Sequence, residues 1–276
     1  TASLKIAPAL AYGNAVIWKQ TNLTPASAVA LTEIISHQDI PKGLFSLVMG
    51  AGGSIGQALV ESPKVNAIFF TSSVPVDKGI AVAAVQNLTK VQMEMGSKNA
   101  LAVMEDAALD LAVSLALGGA YGGSGQKCTA SSRLVVHARI HDAFVEKMIA
   151  GAKAMVVGHA LEAGTQIGPV VSAQQLQENL ANVALGLSEG AELVCAGQQV
   201  ERASQGFYMS LGLLINSTNA MQINREELFA PLAAVIKVGS YDEALSVVND
   251  KLFGLSSGIV TTNLPRVTHL RCNAKT

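Results

Sequence analysis

Charged residues are scarce in this 276-residue sequence, at 14% against the ~25% typical of soluble domains. Lys and Arg together number 19, Asp and Glu number 20, and the net charge is −1. There is no basic excess to neutralise a phosphate backbone, so we expect no nucleic-acid partner. Half of the residues are hydrophobic, which argues against disorder and predicts a sizeable core.

A long hydrophobic run is also missing. A membrane-spanning helix needs ~18 or more nearly continuous apolar residues. The best candidate, residues 111–121, is shorter, contains Ser114 and follows Asp106 and Asp110. We interpret it as a buried helix and expect no membrane partner. The first residues lack the basic start and apolar centre of a secretory signal, and position 1 is not Met, so we expect a piece of a longer chain.

Cysteine is scarce as well. Cys128, Cys195 and Cys272 are widely spaced and form no CxxC pair, which predicts neither a disulfide framework nor a zinc site and favours a cytoplasmic location. Cys128 lies in the polar, glycine-rich stretch GGSGQKCTA beside Lys127. Positive charge and free N–H groups favour a thiolate, whereas apolar burial opposes it. Cys128 is therefore the candidate reactive thiol, and an inert free cysteine is the alternative, which we assign to Cys195 and Cys272.

Short β-branched runs alternate with helical stretches bounded by Gly, Pro and Asn, which predicts an α/β fold. We expect strands at residues 15–18, 44–48, 67–70, 91–95, 101–104, 134–137, 192–195, 233–238 and 257–261. We expect helices at residues 26–36, from 57 toward 61, from 75, from 106, at 140–155, 174–188 and 241–249. The units before residue 96 suit a doubly wound parallel sheet, and we place a domain boundary there.

Glycines follow the second predicted strand in the turn 50–56, GAGGSIG. A strand that leads through glycines into a helix brings unpaired N–H groups close to a phosphate. A tight turn chosen for packing explains the same pattern equally well. Thr71, Ser72 and Ser73 also join a strand to a helix, where they could hold an anion or simply cap the helix.

Glu94 interrupts the predicted strand 91–95 in apolar surroundings, where a carboxylate is costly unless it is paired or used. It is a candidate general base, and a solvated edge-strand Glu is the alternative. No histidine pair has a convincing ligand spacing, so we expect no metal. We interpret all five as surface residues: His37, His137, His141, His159 and His269.

Eight ordered segments resemble the aldehyde dehydrogenase superfamily over the whole chain. They are LKIAPALAYGNAVIWK, the Thr24-Pro25 cap, GAGGSIG, FFTSS, VQMEMGSKN, GQKCTASSR, GPVVS and EELFAP. GQKCTASSR, FGLSSGIVTTNL and CNAKT resemble the branch that oxidises α-ketoglutaric semialdehyde. The resemblance implies a Rossmann-like, doubly wound NAD(P)-binding domain at residues 1–96 and a second α/β catalytic domain at residues 97–276, both incomplete.

The resemblance also implies roles for individual residues. Cys128 would attack an aldehyde to give a thiohemiacetal and then a thioester, and Glu94 would activate the hydrolytic water. NAD or NADP would be the cofactor. Lys19 would bind the adenosine ribose, Ser73 would meet the pyrophosphate, and the adenine side would be lined by Gly52, Gly56 and Val76. Gln175 and Glu227 would hold the nicotinamide half, and Phe229 would pack against its ring. The further expected cofactor-binding residues are Asn22, Phe70 and Met95. NAD-selective relatives commonly carry Glu where this chain has Asn22, so we expect both cofactors to be accepted.

Several motifs depart from the family pattern. Ser72, Ser97 and Ala230 replace the glycines of FTGS, ELGGK and FGP, and Gln20 replaces the proline of KP. The family segment that carries an oxyanion-stabilising Asn would precede Thr1. Loss of one such donor costs on the order of 100-fold or more in rate, so we expect little activity from the fragment. The segment that pairs subunits would follow Thr276, and the parent protein is expected to be a homodimer or homotetramer.

Two alternatives remain open. A degenerate relative that serves as a binding or scaffolding protein is favoured by the lost glycines and opposed by the retained Cys128 and Glu94. A reductase or CoA-acylating relative would keep the thiol but generally not the base, so Glu94 counts against it.

Overall fold

The computed structural model describes residues 2–276, which form two compact units that divide between Met95 and Gly96. In the first unit, helices and short parallel strands alternate. Their bounds are α1 Ala2–Ala11, β1 Val16–Lys19, α2 Pro25–Ser36, β2 Phe45–Val48, α3 Gln57–Val60, β3 Ala67–Thr71, α4 Val74–Val85 and β4 Lys90–Glu94. A π-helical turn, Gly52–Gly56, precedes α3. Pro25 opens α2 as the sequence predicts, because its ring fixes a helical φ and its missing N–H is not needed there.

The strands of the first unit pair two by two. β1 is parallel to β2, and β3 is parallel to β4, with Thr71 opposite Glu94. The alternation of helices with parallel strands confirms the predicted α/β class. The single continuous sheet expected here is instead two separate pairs, because no described strand hydrogen-bonds to both of them.

The second unit contains a six-stranded sheet in the order β10-β5-β6-β9-β8-β7, in which only β7 is antiparallel to its neighbour. Its elements are β5 Ala100–Val103, α5 Leu109–Tyr121, β6 Arg133–His137, α6 His141–Ala154, α7 Ala173–Ser188, β7 Glu192–Ala196, β8 Gly212–Ser217, β9 Leu232–Val238, α8 Tyr241–Asn249, β10 Ser257–Val260 and α9 Leu264–Asn273. Short 3₁₀ turns lie at Gly122–Gly125 and Gln222–Asn224.

The core of the second unit explains why its central strands are almost entirely apolar. On β5 and β6, Leu101 and Leu134 pack in the same cluster as Phe144 of α6. Their neighbours Ala102 and Val135 pack in a different cluster, with α8. Because successive side chains of a strand point to opposite faces, a sheet covered on both faces needs unbroken hydrophobic strands. The amino ends of β5, β6 and β9 are thereby fixed side by side.

Some elements differ from those predicted. α1, β8 and α9 were not expected. α5 begins at Leu109 rather than Asp106, because the Asp106 carboxylate accepts hydrogen bonds from Thr261 and Thr262 at the end of β10. The interpretation of residues 111–121 as a buried helix is wrong for one face, since Leu111 and Leu115 are exposed. Within residues 2–276, no helix is long and apolar enough to cross a membrane.

The prediction that all histidines lie on the surface is wrong for two of them. His137 ends the buried strand β6, and its Nε2 lies 3.8 Å from Oε2 of Glu105. His141 begins α6, and its Nδ1 lies 2.7 Å from a carboxylate oxygen of Asp142. A carboxylate partner lowers the cost of burying an imidazole, and neither pairing is visible in the hydrophobic pattern.

Candidate active site

Three loops of the second unit meet at the amino edge of its sheet. Residues 97–99 lead into β5, Cys128 precedes β6, and Glu227 precedes β9. β5 pairs in parallel with β6, and β6 with β9. Because neighbouring parallel strands start at the same edge, these three loops lie side by side.

The loop that carries Cys128 has an unusual backbone. Gly123, Ser124 and Gly125 have φ values of 65°, 59° and 67°, in the left-handed region that favours glycine. A Cβ on Gly125 would lie 1.9 Å from the carbonyl oxygen of Ala230, so only glycine fits there. Phe229 also has a positive φ, of 52°. Strained backbone of this kind concentrates at functional sites.

Hydrogen bonds fix the Cys128 loop from one side to the turn before α7. The hydroxyl of Ser124 donates to the Gly168 carbonyl at 2.8 Å. The side-chain oxygen of Gln126 accepts from the N–H of Val171 at 2.9 Å. These bonds join the loop to the GPVVS turn that the sequence singled out.

The loop is fixed from its other side by residues that precede β5. The carbonyl of Cys128 accepts a bond from Nδ2 of Asn99 at 2.7 Å and another from the hydroxyl of Ser97. Nδ2 of Asn99 also donates to the Ala130 carbonyl at 3.1 Å, while its Oδ1 accepts from the N–H of Ser256 at 3.0 Å. Asn99 thus joins the thiol loop to the segment before β10.

The three thiols occupy different environments. Cys128 is half-buried in the loop, with Lys127 exposed beside it and folded over Gly122. Cys195 is buried in β7, and burial raises the pKa of its thiol. Cys272 is exposed on α9. A raised pKa leaves less thiolate at neutral pH, which fits the inert role predicted for Cys195.

Glu227 lies against the backbone that precedes β5. Its Oε1 accepts a bond from the N–H of Ser97 at 3.0 Å, and a Cβ on Gly96 would lie 2.3 Å from its Oε2. Burial raises the pKa of Glu227, and the Ser97 N–H and the Lys98 ammonium oppose that shift. Lys98 itself is fully buried, and desolvation together with Arg133 lowers its pKa to about 7. The structure therefore brings Glu227 to the same residue, Ser97, that contacts the Cys128 loop.

Of the two other predicted residues of this unit, Phe229 lies beside Glu227 and Gln175 lies on α7. Phe229 and Glu227 line one small pocket together with Ser97, Gly125 and Lys127. Gln175 lies in the first turn of α7, and its side chain donates to Asn179 at 2.8 Å. Gln175 makes no hydrogen bond to the Cys128 loop among residues 2–276.

In the first unit, the predicted residues follow the carboxyl ends of the strands. Lys19 is the last residue of β1 and is paired with Val48 of β2, whereas Glu94 is the last residue of β4. The others lie on β3 or in the segments that leave the strands: Asn22, Gly52, Gly56, Phe70, Ser73, Val76 and Met95. Ser73 precedes α4 as its N-cap residue, but its hydroxyl makes no capping bond.

The sequence left two explanations open for the glycine turn at residues 50–56, a backbone that binds phosphate and a tight turn required by packing, and different glycines fit each of them. Gly50 has a φ of 149°, and a Cβ there would lie 2.5 Å from the Ile55 side chain, so packing of the turn requires glycine. A Cβ on Gly52 or Gly56 would meet no atom within 4 Å. Packing therefore explains Gly50, whereas Gly52 and Gly56 leave open space beside the backbone.

Glu94 does not have the apolar surroundings expected from the sequence. It is half-buried, and its Oε1 accepts a bond from the side chain of Gln92 at 3.2 Å. Lys5 donates to the Phe70 carbonyl at 3.0 Å; burial lowers the pKa of Lys5, and Glu94 and Asp77 oppose that shift. The surroundings of Glu94 are less apolar than expected because the first three residues of β4 are exposed.

Sequence reasoning missed several residues that shape these loops. Ser97, Asn99 and Gly125 hold the Cys128 loop, although each belongs to a motif that the sequence marked.

Asp77 is 1% exposed, and neither of its carboxylate oxygens has a hydrogen-bond partner among residues 2–276. Its position in an otherwise ordinary helix gave no signal.

Comparisons with known proteins identify the family of the chain. The sequence matches the Aldehyde dehydrogenase family over residues 1–276. It is 39% identical over 265 residues to an alpha-ketoglutaric semialdehyde dehydrogenase of Bacillus subtilis, covering 95% of this chain and 54% of the relative. It is 36% identical over 271 residues to a betaine aldehyde dehydrogenase of Brucella ovis, covering 98% of this chain and 55% of the relative.

Solved structures have the same fold. A crystal structure of betaine aldehyde dehydrogenase from Staphylococcus aureus in complex with NAD+ superposes with a TM-score of 0.96 at 30% identity, covering 99% of this chain and 55% of that one. An NADP-dependent enzyme of Escherichia coli gives a TM-score of 0.96 at 30% identity, covering 99% and 56%. The chain thus spans about half the length of the relatives it matches.

Proposed function

Because the chain belongs to the aldehyde dehydrogenase family, we propose that the full-length protein oxidises an aldehyde to its carboxylic acid with NAD+ or NADP+. The observation that carries this proposal is the amino edge of the second unit. There, Ser97 donates to the backbone carbonyl of the half-buried Cys128, in a strained loop, and to the half-buried carboxylate of Glu227. Residues 1–96 are the proposed NAD(P)-binding domain, and residues 97–276 the proposed catalytic domain.

The residues present fit a nicotinamide dinucleotide. Gly52 and Gly56 leave open space beside a turn that leads into α3, which suits a pyrophosphate approaching backbone N–H groups. Lys19 ends β1 and Ser73 lies just beyond β3, at the strand ends where open α/β sheets bind ligands. When bound, NAD+ or NADP+ supplies the acceptor for the hydride that leaves the substrate carbon. Glu227 and Gln175 are proposed to hold the nicotinamide half, and Phe229 to pack against its ring. Met95 is a further proposed cofactor-binding residue.

Cys128 is the proposed nucleophile. Its thiolate forms a bond to the aldehyde carbon, and the carbonyl π electrons move to oxygen, giving a thiohemiacetal anion. Loss of hydride from that carbon leaves a thioester on Cys128. The fixed loop carbonyl, with its bonds from Asn99 and Ser97, supports this role because it restricts the direction of the side chain.

Glu94 is the proposed general base for the second half of the reaction. It takes a proton from a water molecule whose oxygen attacks the thioester carbon. The carbon–sulfur bond then breaks, the thiolate of Cys128 leaves, and the carboxylic acid is released. The partly exposed position of Glu94 at the end of β4 supports access of water to it.

The substrate and setting are proposed more narrowly. α-Ketoglutaric semialdehyde is the first substrate to test, because the relative from Bacillus subtilis is named for it. Betaine aldehyde is the second, after the Brucella relative.

The described residues contain three free cysteines and no disulfide, which supports a cytoplasmic location. We propose a homodimer or homotetramer for the full-length protein, as the family resemblance implies.

The test is turnover of the full-length protein with each aldehyde and with NAD+ or NADP+. We expect equimolar reduced cofactor and carboxylic acid. Cofactor binding without turnover on any aldehyde would favour a binding or scaffolding relative. Product formation only in the presence of coenzyme A would favour the acylating class.

A further inference from the structure

One side chain at the amino edge contacts both the thiol loop and Glu227. Ser97 is 5% exposed, its backbone N–H donates to Oε1 of Glu227 at 3.0 Å, and its hydroxyl donates to the carbonyl of Cys128. We propose that Ser97 is a positioning residue that holds the Cys128 loop and Glu227 in a fixed mutual arrangement. The proposal rests on the function proposed above.

The geometry gives the hydroxyl a specific effect. A carbonyl oxygen has two lone pairs, and the Cys128 carbonyl accepts from both Asn99 and Ser97. With both lone pairs engaged, the peptide plane after Cys128 has little freedom to rotate. That plane contains Cα of Cys128, so holding it narrows the range of directions open to the Cα–Cβ bond and to the sulfur.

The two contacts of Ser97 depend on different parts of the residue. The bond to Glu227 comes from the backbone, and any residue except proline can make it. The bond to Cys128 comes from the hydroxyl, which a glycine at this place in the ELGGK pattern would lack. Substitution by alanine therefore removes the contact with the thiol loop and leaves the contact with Glu227.

Ser97→Ala is therefore expected to change the burst rate without changing the KM for the cofactor. In Ser97→Ala, the rate of the first burst of reduced cofactor should fall roughly three- to tenfold, as expected for one buried neutral hydrogen bond. The KM for the cofactor should stay within about twofold, because the Glu227 bond remains. A general loss of folding would change both quantities together.

Ser217→Ala is a matched control. Ser217 is also 5% exposed, and its hydroxyl donates to the Val235 carbonyl at 2.9 Å in the same unit. The Ser217 hydroxyl also accepts a bond from Nδ2 of Asn224 at 3.1 Å, so this variant removes at least as much buried hydrogen bonding as Ser97→Ala does, without touching the Cys128 loop. We expect its burst rate to equal that of the wild type.

The experiment measures burst rate, cofactor KM and amide hydrogen exchange of residues 122–130 in the full-length wild type, Ser97→Ala and Ser217→Ala. We expect exchange in that segment to quicken about three- to tenfold in Ser97→Ala alone, together with the slower burst. Unchanged exchange would overturn the proposal, as would faster exchange with an unchanged burst, or an equal loss in the control. Exchange needs no turnover, so an inactive wild type would refute the proposed function while the Ser97 contact is still tested.

Discussion

In residues 96–276, Cys128, Glu227 and Phe229 lie at the amino edge of the parallel strands β5, β6 and β9, whereas in residues 2–95 the candidate residues lie at or beyond the carboxyl ends of parallel strands. The amino-edge loops are joined by bonds between distant segments, such as Ser97 to Glu227. The carboxyl-edge residues include glycines with open space around them, Gly52 and Gly56. Bonds within the chain thus fix the loop of the proposed nucleophile, whereas the proposed cofactor-binding glycines leave space beside their backbone.

The largest expected effect concerns the thiol of the amino edge. Cys128→Ala in the full-length protein should lower aldehyde oxidation on the order of 10⁴-fold or more, because Cys128 is the proposed nucleophile and alanine cannot form the covalent intermediate. Steady-state formation of reduced cofactor measures it. Cys272→Ala removes an exposed thiol on α9 and should retain the wild-type rate; a Cys128→Ala variant with near-normal turnover would place the nucleophile elsewhere.

The next effect concerns the carboxylate at the end of β4. Glu94→Gln should slow steady-state turnover roughly 10²- to 10⁴-fold, the range for loss of a general base. A burst of reduced cofactor should remain, because the steps before hydrolysis do not need this base. Rapid mixing separates the burst from the steady state. Gln92→Ala, which removes the side chain that donates to Glu94, is the control, and normal steady-state turnover in Glu94→Gln would remove Glu94 from the mechanism.

A pair of glycines tests the comparison directly. Gly125→Ala should lower the free energy of unfolding by about 2 kcal/mol or more, because a left-handed φ and a close carbonyl oppose a Cβ. Gly52→Ala should leave the free energy of unfolding within about 0.5 kcal/mol but weaken cofactor binding. Denaturant titration and a cofactor Kd for each variant give the answer. Equal destabilisation by both substitutions would break the contrast between the two edges.

The smallest expected effect concerns cofactor choice. A carboxylate at ~4 Å from a phosphate is worth ~1–4 kcal/mol at the dielectric of water or a protein surface. Asn22 supplies no such repulsion, so the full-length protein should use NAD+ and NADP+ with kcat/KM values within about tenfold of each other. Asn22→Glu should shift the ratio toward NAD+ by roughly tenfold or more. A wild type that discriminates against NADP+ far more strongly would show that another feature sets the choice.

The sequence predicted elements with a clear period and missed those without one. Apart from β8, the order of strands and helices from β1 to α8 follows from apolar runs between turn residues, with ends shifted by at most three residues. α1 was missed because Pro8 lies inside it. β8 was missed because its run lacks alternation and includes Asn216 with a φ of 55°. α9 was missed because Pro265 and polar residues obscure its short apolar face.

For the site, local sequence was enough to mark Cys128 but not its supports. Its glycine-rich, lysine-flanked loop is a local pattern, whereas the bonds from Ser97 and Asn99 join residues 31 and 29 positions away. Glu227 lies 130 positions along the chain from Ser97, whose backbone N–H donates a hydrogen bond to it. Such contacts exist only once the strands are paired, so no local pattern predicts them. The burial of His137 beside Glu105 is missing from the sequence for the same reason.

The most direct test of the account is to trap the intermediate on the thiol. Full-length Glu94→Gln is mixed with NAD+ and the aldehyde that gives the largest burst, quenched in acid, digested, and its cysteine peptides are weighed by mass spectrometry. We predict one acyl group on the peptide that contains Cys128, in an amount equal to the burst of reduced cofactor. A burst with the acyl group on Cys195 or Cys272, or with none on Cys128, would contradict the assignment of the nucleophile.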